Sequence, residues 1–547
     1  MPRVALRLAL LLASLQAIAA MPARAQFVER VEVAVANVDV VVTDRDGNPI
    51  RGLTKDDFEL YEEGKLQAIT NFSVVDSASP ASSGSTAASP EAPVSQSADA
   101  RAAQPRLVLL FVDIAEIEPS RRVKFFEGVR AFFKQALRPG DLVCVLTWMH
   151  RVRVSLEPTA DREALKVVLD ALETPFGSKE KEIADRLAEL QIQQAARDEA
   201  LSRALGIAPL TDAAAEADFQ AFIIDEERCT LIKRKVRELR NLLVSFSRVE
   251  MKKMLVFAGD DLSLRPRRDC DARTEIDQLA DTANAYGMTI HAFHPPGMRD
   301  SFVTPDRGGF LPGMNAQAPL AAGYGRAFDE AGGLLALAKR TGGLSALGPQ
   351  QSARFLERAA RELDVYYSLG YRITSPADDK PRAIKVTAKN KSYHVRARES
   401  VVHLSEASRI RDLVTTNLYL SVPDESKGPA FDVRIGARKR DGRFVLVPVE
   451  LAIDPKALVL LEDHDGRVRG GFTVFVTSGR ELGDASDVSA MRQQLDFDNP
   501  DARQLPNPIS YSFTVRVRPD TRKLSFALQD GTSGDLGTRV VRLQAGQ

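Results

Sequence analysis

The sequence predicts an α/β fold: a doubly wound, mostly parallel sheet with an inserted helical hairpin, flanked by N-terminal β-strands and a C-terminal β-sandwich. Three observations carry this. Continuous apolar runs at Leu107–Val112, Leu142–Trp148, Met254–Phe257 and Thr289–Phe293 alternate with amphipathic stretches. Strands apolar on both faces belong to sheets covered by helices on both sides. Before them, Val31, Val33, Val35 and then Val38, Val40, Val42 repeat with the period of two that marks a half-buried strand. After Val365, short strands recur between turn-forming segments, as in an antiparallel sandwich.

Taken in order, residues 1–25 read as a secretory signal. Arg3 and Arg7 charge its start, Leu8 to Ala20 form an apolar run, and Ala23-Arg24-Ala25 is a small-x-small cleavage site. The run is shorter than the roughly 20 residues a membrane span requires. The mature chain is expected to begin near Gln26, secreted or periplasmic, with no membrane span once the signal is removed. Residues 26–76 form an N-terminal β-segment in which Asp44–Pro49 is a turn. The turn opens like a calcium loop, but its twelfth position is Lys55, where such a loop needs a bidentate Glu. Residues 77–105 are rich in Ala, Ser and Pro with few charges, and read as a flexible linker.

The sheet domain spans 106–364. Its first strand is followed by a helix with Val123, Phe126, Val129 and Phe133 on one face. Arg151–Leu156 pairs with the second strand as a hairpin. Helices are expected at Arg162–Leu172, Glu275–Ala285, Ala327–Lys339 (ended by Gly342-Gly343) and Gln350–Leu363. Two long charged stretches within about 178–249 carry heptad-like apolar positions, including Leu187, Leu190, Leu231, Val236, Leu239 and Leu243. They are expected to pair as a hairpin projecting from the sheet. Pro295–Gly325 is a long irregular loop. A β-extension follows at 365–405, then the C-terminal domain at 406–547, whose first strand is expected at Asn417–Ser421.

Composition narrows the function classes. The chain has 547 residues, 44% hydrophobic and 27% charged, which is ordinary globular composition. Basic and acidic residues both number 74, and loss of Arg3, Arg7 and Arg24 with the signal leaves a net charge of −3. That balance does not point to nucleic acid. Six His and three Cys give little material for a His- or Cys-based metal centre. Cys144 lies in an apolar strand and is expected as a core residue, while Cys229 and Cys270 are candidates to pair in an oxidising compartment. His291 and His294 lie three apart on a strand end, hence on opposite faces. No nucleophile elbow or phosphate-binding loop motif appears.

Ligands of open α/β sheets sit at the carboxyl ends of the strands. The first strand, Leu109-Leu110-Phe111-Val112-Asp113, resembles the first strand of a von Willebrand factor type A domain. Val41-Val42-Thr43-Asp44, Gly52-Leu53-Thr54-Lys55-Asp56-Asp57-Phe58-Glu59 and Glu63-Gly64-Lys65 resemble the start of the secreted bacterial VWFA-related family. Tyr366-Tyr367-Ser368-Leu369-Gly370-Tyr371, Ile384-Lys385-Val386 and Val395-Arg396-Ala397-Arg398 resemble its end. The resemblance covers about residues 27–400. It implies a metal-ion-dependent adhesion site of the form Asp-x-Ser-x-Ser, completed by a distant Thr and Asp around Mg²⁺. Asp113 matches the first position, Thr159 stands for the Thr, and Asp260 or Asp261 for the distal Asp. Both motif serines are replaced, by Ala115 and Ile117, which offer no oxygen. Glu116 is the one carboxylate in the loop that would compensate. Mg²⁺ requires near-octahedral oxygen geometry, so a degenerate site with weak or no Mg²⁺ binding is expected.

The resulting expectation is an exported, non-enzymatic protein-interaction or adhesion-type protein. Its protein partner would bind near Asp113, Glu116, Thr159 and Asp260. The alternatives are a secreted hydrolase using Asp113, Glu116 and Asp260 around a divalent metal, and a structural envelope component.

Overall fold

A computed structural model describes residues 35–76, 105–114, 117, 122–149, 151–174, 213–249, 251–259, 262, 271–293, 332–346, 352–362, 365–419, 428–462, 467–480, 485–497 and 507–543. For residues 76, 213–228, 352 and 353 only the backbone is described. The signal segment, the linker up to residue 104, the arm at 178–205 and the loop at 295–325 lie outside these residues.

The chain enters through β1 (Val35–Thr43), β2 (Phe58–Glu62), β3 (Lys65–Gln67) and β4 (Ile69–Asp76). Val38, Val40 and Val42 of β1 all point inward, as the period of two requires. The turn after β1 is held by Asp44, whose Oδ1 accepts from the amides of Asp46 (2.9 Å) and Asn48 (2.8 Å). This carboxylate is committed to its own turn.

The parallel sheet follows. Its elements are β5 (Arg106–Asp113), α1 (Arg122–Ala136), β6 (Leu142–Trp148), β7 (Val152–Thr159), α2 (Arg162–Glu173), α3 (Ala213–Val244), β8 (Lys252–Ala258), α4 (Arg273–Ala285) and β9 (Met288–Phe293). After these come a helix, α5, at 332–340, then β10 (Ser345–Ala346) and α6 (Ser352–Glu362). Strand order is β10-β9-β8-β5-β6-β7, all parallel except β7, which runs antiparallel beside β6. Every residue of β5 is buried. Leu107, Leu109 and Phe111 enter a core shared with α3, α4 and α5. Val108, Leu110 and Val112 enter a second core against α1, α2 and α6. One apolar layer on each face accounts for the unbroken hydrophobic run. Asp161 caps α2 by accepting from the amides of Glu163 and Ala164. Helix α5 stops at Gly342, whose φ of +74° is open to glycine without strain. At Gly343, a Cβ would stand 1.9 Å from the carbonyl oxygen of Ile290, so only glycine lets the chain turn against β9.

The helical insertion departs from the expectation. The part of its described arm whose side chains are described, from Cys229 on, packs on the sheet. Ile232, Val236, Leu239, Leu242 and Leu243 of α3, with Phe246 beyond it, are buried in the sheet core. The repeat at three and four residues gives one apolar stripe, and the sheet is what buries it.

Strands β11 (Val365–Arg372), β12 (Pro381–Ala388), β13 (His394–Ala397) and β14 (Ser400–Val402) return to the beginning of the chain. They complete two sheets, β13-β1-β11-β4 and β14-β12-β2-β3, around one cluster that includes Val40, Leu60, Tyr367, Tyr371 and Ile384. The Tyr367 hydroxyl donates to the carbonyl of Ile50 (2.8 Å) and accepts from the amide of Leu53 (3.2 Å). The N-terminal segment and the β-extension therefore share sheets, with the parallel-sheet elements inserted between them in sequence.

Helix α7 (Glu406–Tyr419) occupies much of the stretch expected to begin a strand at Asn417. Ile410 and Val414, four apart, seat it on Phe475 and Ala527. The remaining strands are β15 (Phe431–Ile435), β16 (Lys439–Asp441), β17 (Phe444–Ile453), β18 (Leu461–Glu462), β19 (Val468–Gly479), β20 (Ser489–Phe497), β21 (Ile509–Val517), β22 (Lys523–Asp530) and β23 (Leu536–Arg542). They form two sheets, one centred on β17 and one on β19 and β22, whose apolar residues share a single cluster. No described helix is long and apolar enough to cross a membrane.

Helix α7 also touches the parallel-sheet elements. Tyr286, just after α4, donates its hydroxyl to Asp412 at 2.9 Å. Burial raises the Asp412 carboxyl to about 6, with the Tyr286 hydrogen bond and the charges of Arg411 and Arg248 opposing, and Asp379 adding to the rise. A raised carboxyl contributes stability fully below its unfolded value, about 3.9, and loses it as pH rises through about 6. Asp412→Asn keeps an acceptor for Tyr286 and removes the charge. At pH 8 the variant should be more stable than the wild type by on the order of 3 kcal/mol, at ~1.4 kcal/mol per pH unit. Thermal unfolding checks this: the advantage should fade by pH 4, and an equal advantage at both pH values would contradict it.

Candidate functional site

Asp113 ends β5, at the carboxyl end of the parallel sheet beside Trp148 of β6. Strand alternation points it to the same face as Phe111, Leu109 and Trp148, the face covered by α3. Its side chain is fully buried, and the Lys235 ammonium of α3 lies 2.5 Å from its Oδ2, itself only 6% exposed. The same ammonium stands 5.6 Å from the centre of the Trp148 ring, within cation–π range. Lys235 reaches this place because it sits on the buried stripe of α3, between Ile232 and Leu239. The stripe anchors the helix, and the helix delivers the charge.

Of the other expected positions, the two that are described, Ile117 and Thr159, do not converge on Asp113. Ile117, at the second motif serine position, is 1% exposed and belongs to the core beneath α1 and α6. The start of α1 holds this loop, with Arg122 donating to the carbonyls of Ile114 (3.2 Å) and Ile117 (3.4 Å). Thr159 is a correction. It pairs with Val143 at the start of β6, whereas Asp113 pairs with Trp148 at its end. Five residues along a strand separate them by about 16 Å at ~3.3 Å per residue. Because β7 runs antiparallel, its last residue lies at the opposite pole of the sheet. There the Thr159 hydroxyl accepts from the amide of Asp161 (3.1 Å) and serves the turn into α2. Glu116, Asp260 and Asp261 lie outside the described residues.

A divalent cation does not fit what is described. Among the described residues an ammonium already stands against Asp113, Ile117 is an apolar core side chain, and Thr159 is remote. Among the described residues no group of three or more His, Cys, Asp or Glu gathers in a metal-binding arrangement.

Sequence reasoning missed Lys235. Its only signal was a lysine lying on the apolar stripe of α3, where a surface helix would carry none. Several other buried polar groups are hydrogen-bonded or paired. Glu62 accepts from Ser375 (2.8 Å) and meets His403 Nε2 at 3.1 Å. His291 Nδ1 accepts from the amide of Leu344 at 3.1 Å, and burial, with the charges of Arg396 and Lys252, holds its imidazolium form well below the usual range. Glu362 pairs with Arg396. Cys144 is a free, buried thiol whose ionisation burial opposes, and Cys229 is disulfide-bonded. Cys270 lies outside the described residues.

No protein-family model matches the chain. No curated relative matches it by sequence. Its structural neighbours include a von Willebrand factor type A protein from Catenulispora acidiphila, with a TM-score of 0.24 and 9% identity over 80% of this chain and 65% of that one. They also include the conserved hypothetical protein BatB from Bacteroides thetaiotaomicron, with a TM-score of 0.23 and 10% identity over 47% of this chain and 98% of that one. A third is proximal thread matrix protein 1 from the mussel byssus, with a TM-score of 0.22 and 10% identity over 49% of this chain and 48% of that one. At these identities and scores the likenesses bear on neither the site nor its activity.

Proposed function

We propose that this chain is an exported, non-enzymatic protein-interaction protein. Its von Willebrand factor type A-like sheet would have exchanged a metal-ion-dependent adhesion site for an internal ion pair. The C-terminal sheets form a β-sandwich in this reading, and the partner is a protein bound without a bridging metal. The observation that carries the reading is the Lys235 ammonium against Asp113, at the position where the family resemblance puts Mg²⁺. A lysine supplies the compensating charge permanently. An ammonium, unlike a metal ion, has no vacant coordination position for a partner's acidic side chain, and the Asp113 carboxylate is itself fully buried.

Titration calorimetry and thermal unfolding with Mg²⁺, Mn²⁺ and Ca²⁺ test this on the mature chain and on Asp113→Ala. A cation that binds only the folded state at a hundredfold excess over Kd stabilises it by about 2.7 kcal/mol. The expected outcome is no saturable heat and no Tm shift at millimolar Mg²⁺. A clear Mg²⁺-dependent rise in the wild type, absent in Asp113→Ala, would restore the adhesion-site reading. The hydrolase alternative, with a metal among Asp113, Glu116 and Asp260, requires that same rise.

A further inference from the structure

At the amino-terminal pole of the parallel sheet, where β5 and β8 begin, a cleft of about 310 Å³ opens against β1 and β11. Six cations line it, Arg106, Arg138, Arg248, Lys252, Lys253 and Arg398, and Asp39 is the one carboxylate lining it among the described residues. Asp39 is paired with Lys252, and Arg106 is paired with Asp141 behind the wall. Arg398 is held differently. It donates to the main-chain carbonyls of Asn284 (2.5 Å) and Asn37, dipoles that satisfy donors without cancelling charge. Its buried Nε has no hydrogen-bond partner among the described residues. Burial works against the Arg398 charge, and Asp39 offsets this only in part. Arg248 is exposed on the same cleft.

We propose that this cleft binds a small polyvalent oxyanion of the phosphate type, with Arg248 and Arg398 supplying the charge that recognises it. A recess lined by one sign of charge between low-dielectric walls concentrates counter-ions of the other sign. Guanidinium groups present planar, paired donors that suit phosphate oxygens. The volume is at the lower end of small-ligand sites, ~300–1,000 Å³, which fits an inorganic phosphate or the phosphate end of a larger molecule. The site lies at the opposite pole from Asp113 and stands independently of the function proposed above.

The test is titration calorimetry at low ionic strength with pyrophosphate, on the wild type, Arg248→Ser and Arg469→Ser. The last variant removes an exposed cation from β19, away from the cleft. Saturable binding that weakens at least fivefold in Arg248→Ser and is unchanged in Arg469→Ser supports the site. Glycerol 3-phosphate and orthophosphate as parallel titrants separate the sources. Tighter binding of the ester assigns the end of an organic phosphate, and tighter binding of the inorganic ions assigns a free phosphate. Absence of binding, or equal weakening in both variants, overturns the proposal. So does a pyrophosphate effect on Tm that sodium chloride of matched ionic strength reproduces.

Discussion

Lys235→Met should destabilise the chain by about 3–5 kcal/mol, the range for removing one partner of a buried ion pair. The substitution keeps the apolar stem and removes the charge, so lost packing contributes little. What remains is an Asp113 side chain with no exposure and no ammonium at 2.5 Å. A carboxylate left in such a place stays folded only by taking up a proton, and that free energy is drawn from stability. Replacing both partners, Lys235→Met with Asp113→Leu, should recover most of the loss, because a well-packed apolar pair is often neutral or better than a buried ion pair. The double-mutant cycle isolates the pair energy. Trp148, the chain's one tryptophan, lies beside the pair, so its fluorescence during urea unfolding reports on this region. A Lys235→Met variant within about 0.5 kcal/mol of wild type, the usual range of a surface change, would show that the ammonium is not what neutralises Asp113. It would also remove the main support for a metal-free site.

That prediction concerns the residue hardest to find in the sequence. The parallel sheet was legible because each strand is a continuous apolar run, and only burial on both faces tolerates such a run. Asp113 was legible as the residue ending the first of these strands. Lys235 was not, because 122 residues separate it from Asp113. A lysine in a charged helical stretch reads as solvated until the sheet it packs against is known. Thr159 was misplaced for a related reason. Its order along the chain fits the family pattern, but the antiparallel return already expected for the hairpin at Arg151–Leu156, followed to its end, carries Thr159 to the other pole, away from Asp113. Asn417–Ser421 looked like a strand because Leu418-Tyr419-Leu420 is a short apolar run, which periodicity alone cannot assign. Ile410 and Val414 decide it as a helix by packing on β-strands far along the chain. The shared sheets of the N-terminal segment and the 365–402 strands were also out of reach. Each strand is readable locally, but its partner lies across the whole parallel-sheet insertion.

A second large effect is expected at the other end of the same strand. Arg106 begins β5 as Asp113 ends it, and it too is buried against an opposite charge, Asp141. Here the carboxylate is fully used. It accepts from the Arg106 amide (2.9 Å) and from the Arg106 guanidinium at Nε (3.1 Å) and at a terminal nitrogen (2.6 Å). The Arg138 amide donates to it as well, at 2.8 Å. Asp141→Ala would leave two main-chain donors without this acceptor and a 4%-exposed guanidinium resting chiefly on the Ala136 carbonyl. The expected loss is about 3–5 kcal/mol at pH 7. Burial opposes ionisation of Asp141, but the Arg106 hydrogen bonds, the Arg138 amide and the Arg106 charge overcome it and hold the carboxyl below its usual range. A depressed carboxyl gives stability that is present above the unfolded value, ~3.9, and is lost as pH falls through the lower folded value. The gap between wild type and Asp141→Ala should therefore be largest at neutral pH and shrink in acid below about pH 4. Denaturant unfolding at pH 7, 5 and 3 measures it. The ion pair would not be the anchor of β5 if the gap were below about 1 kcal/mol, the typical cost of an ordinary substitution, or if it held constant down to pH 3.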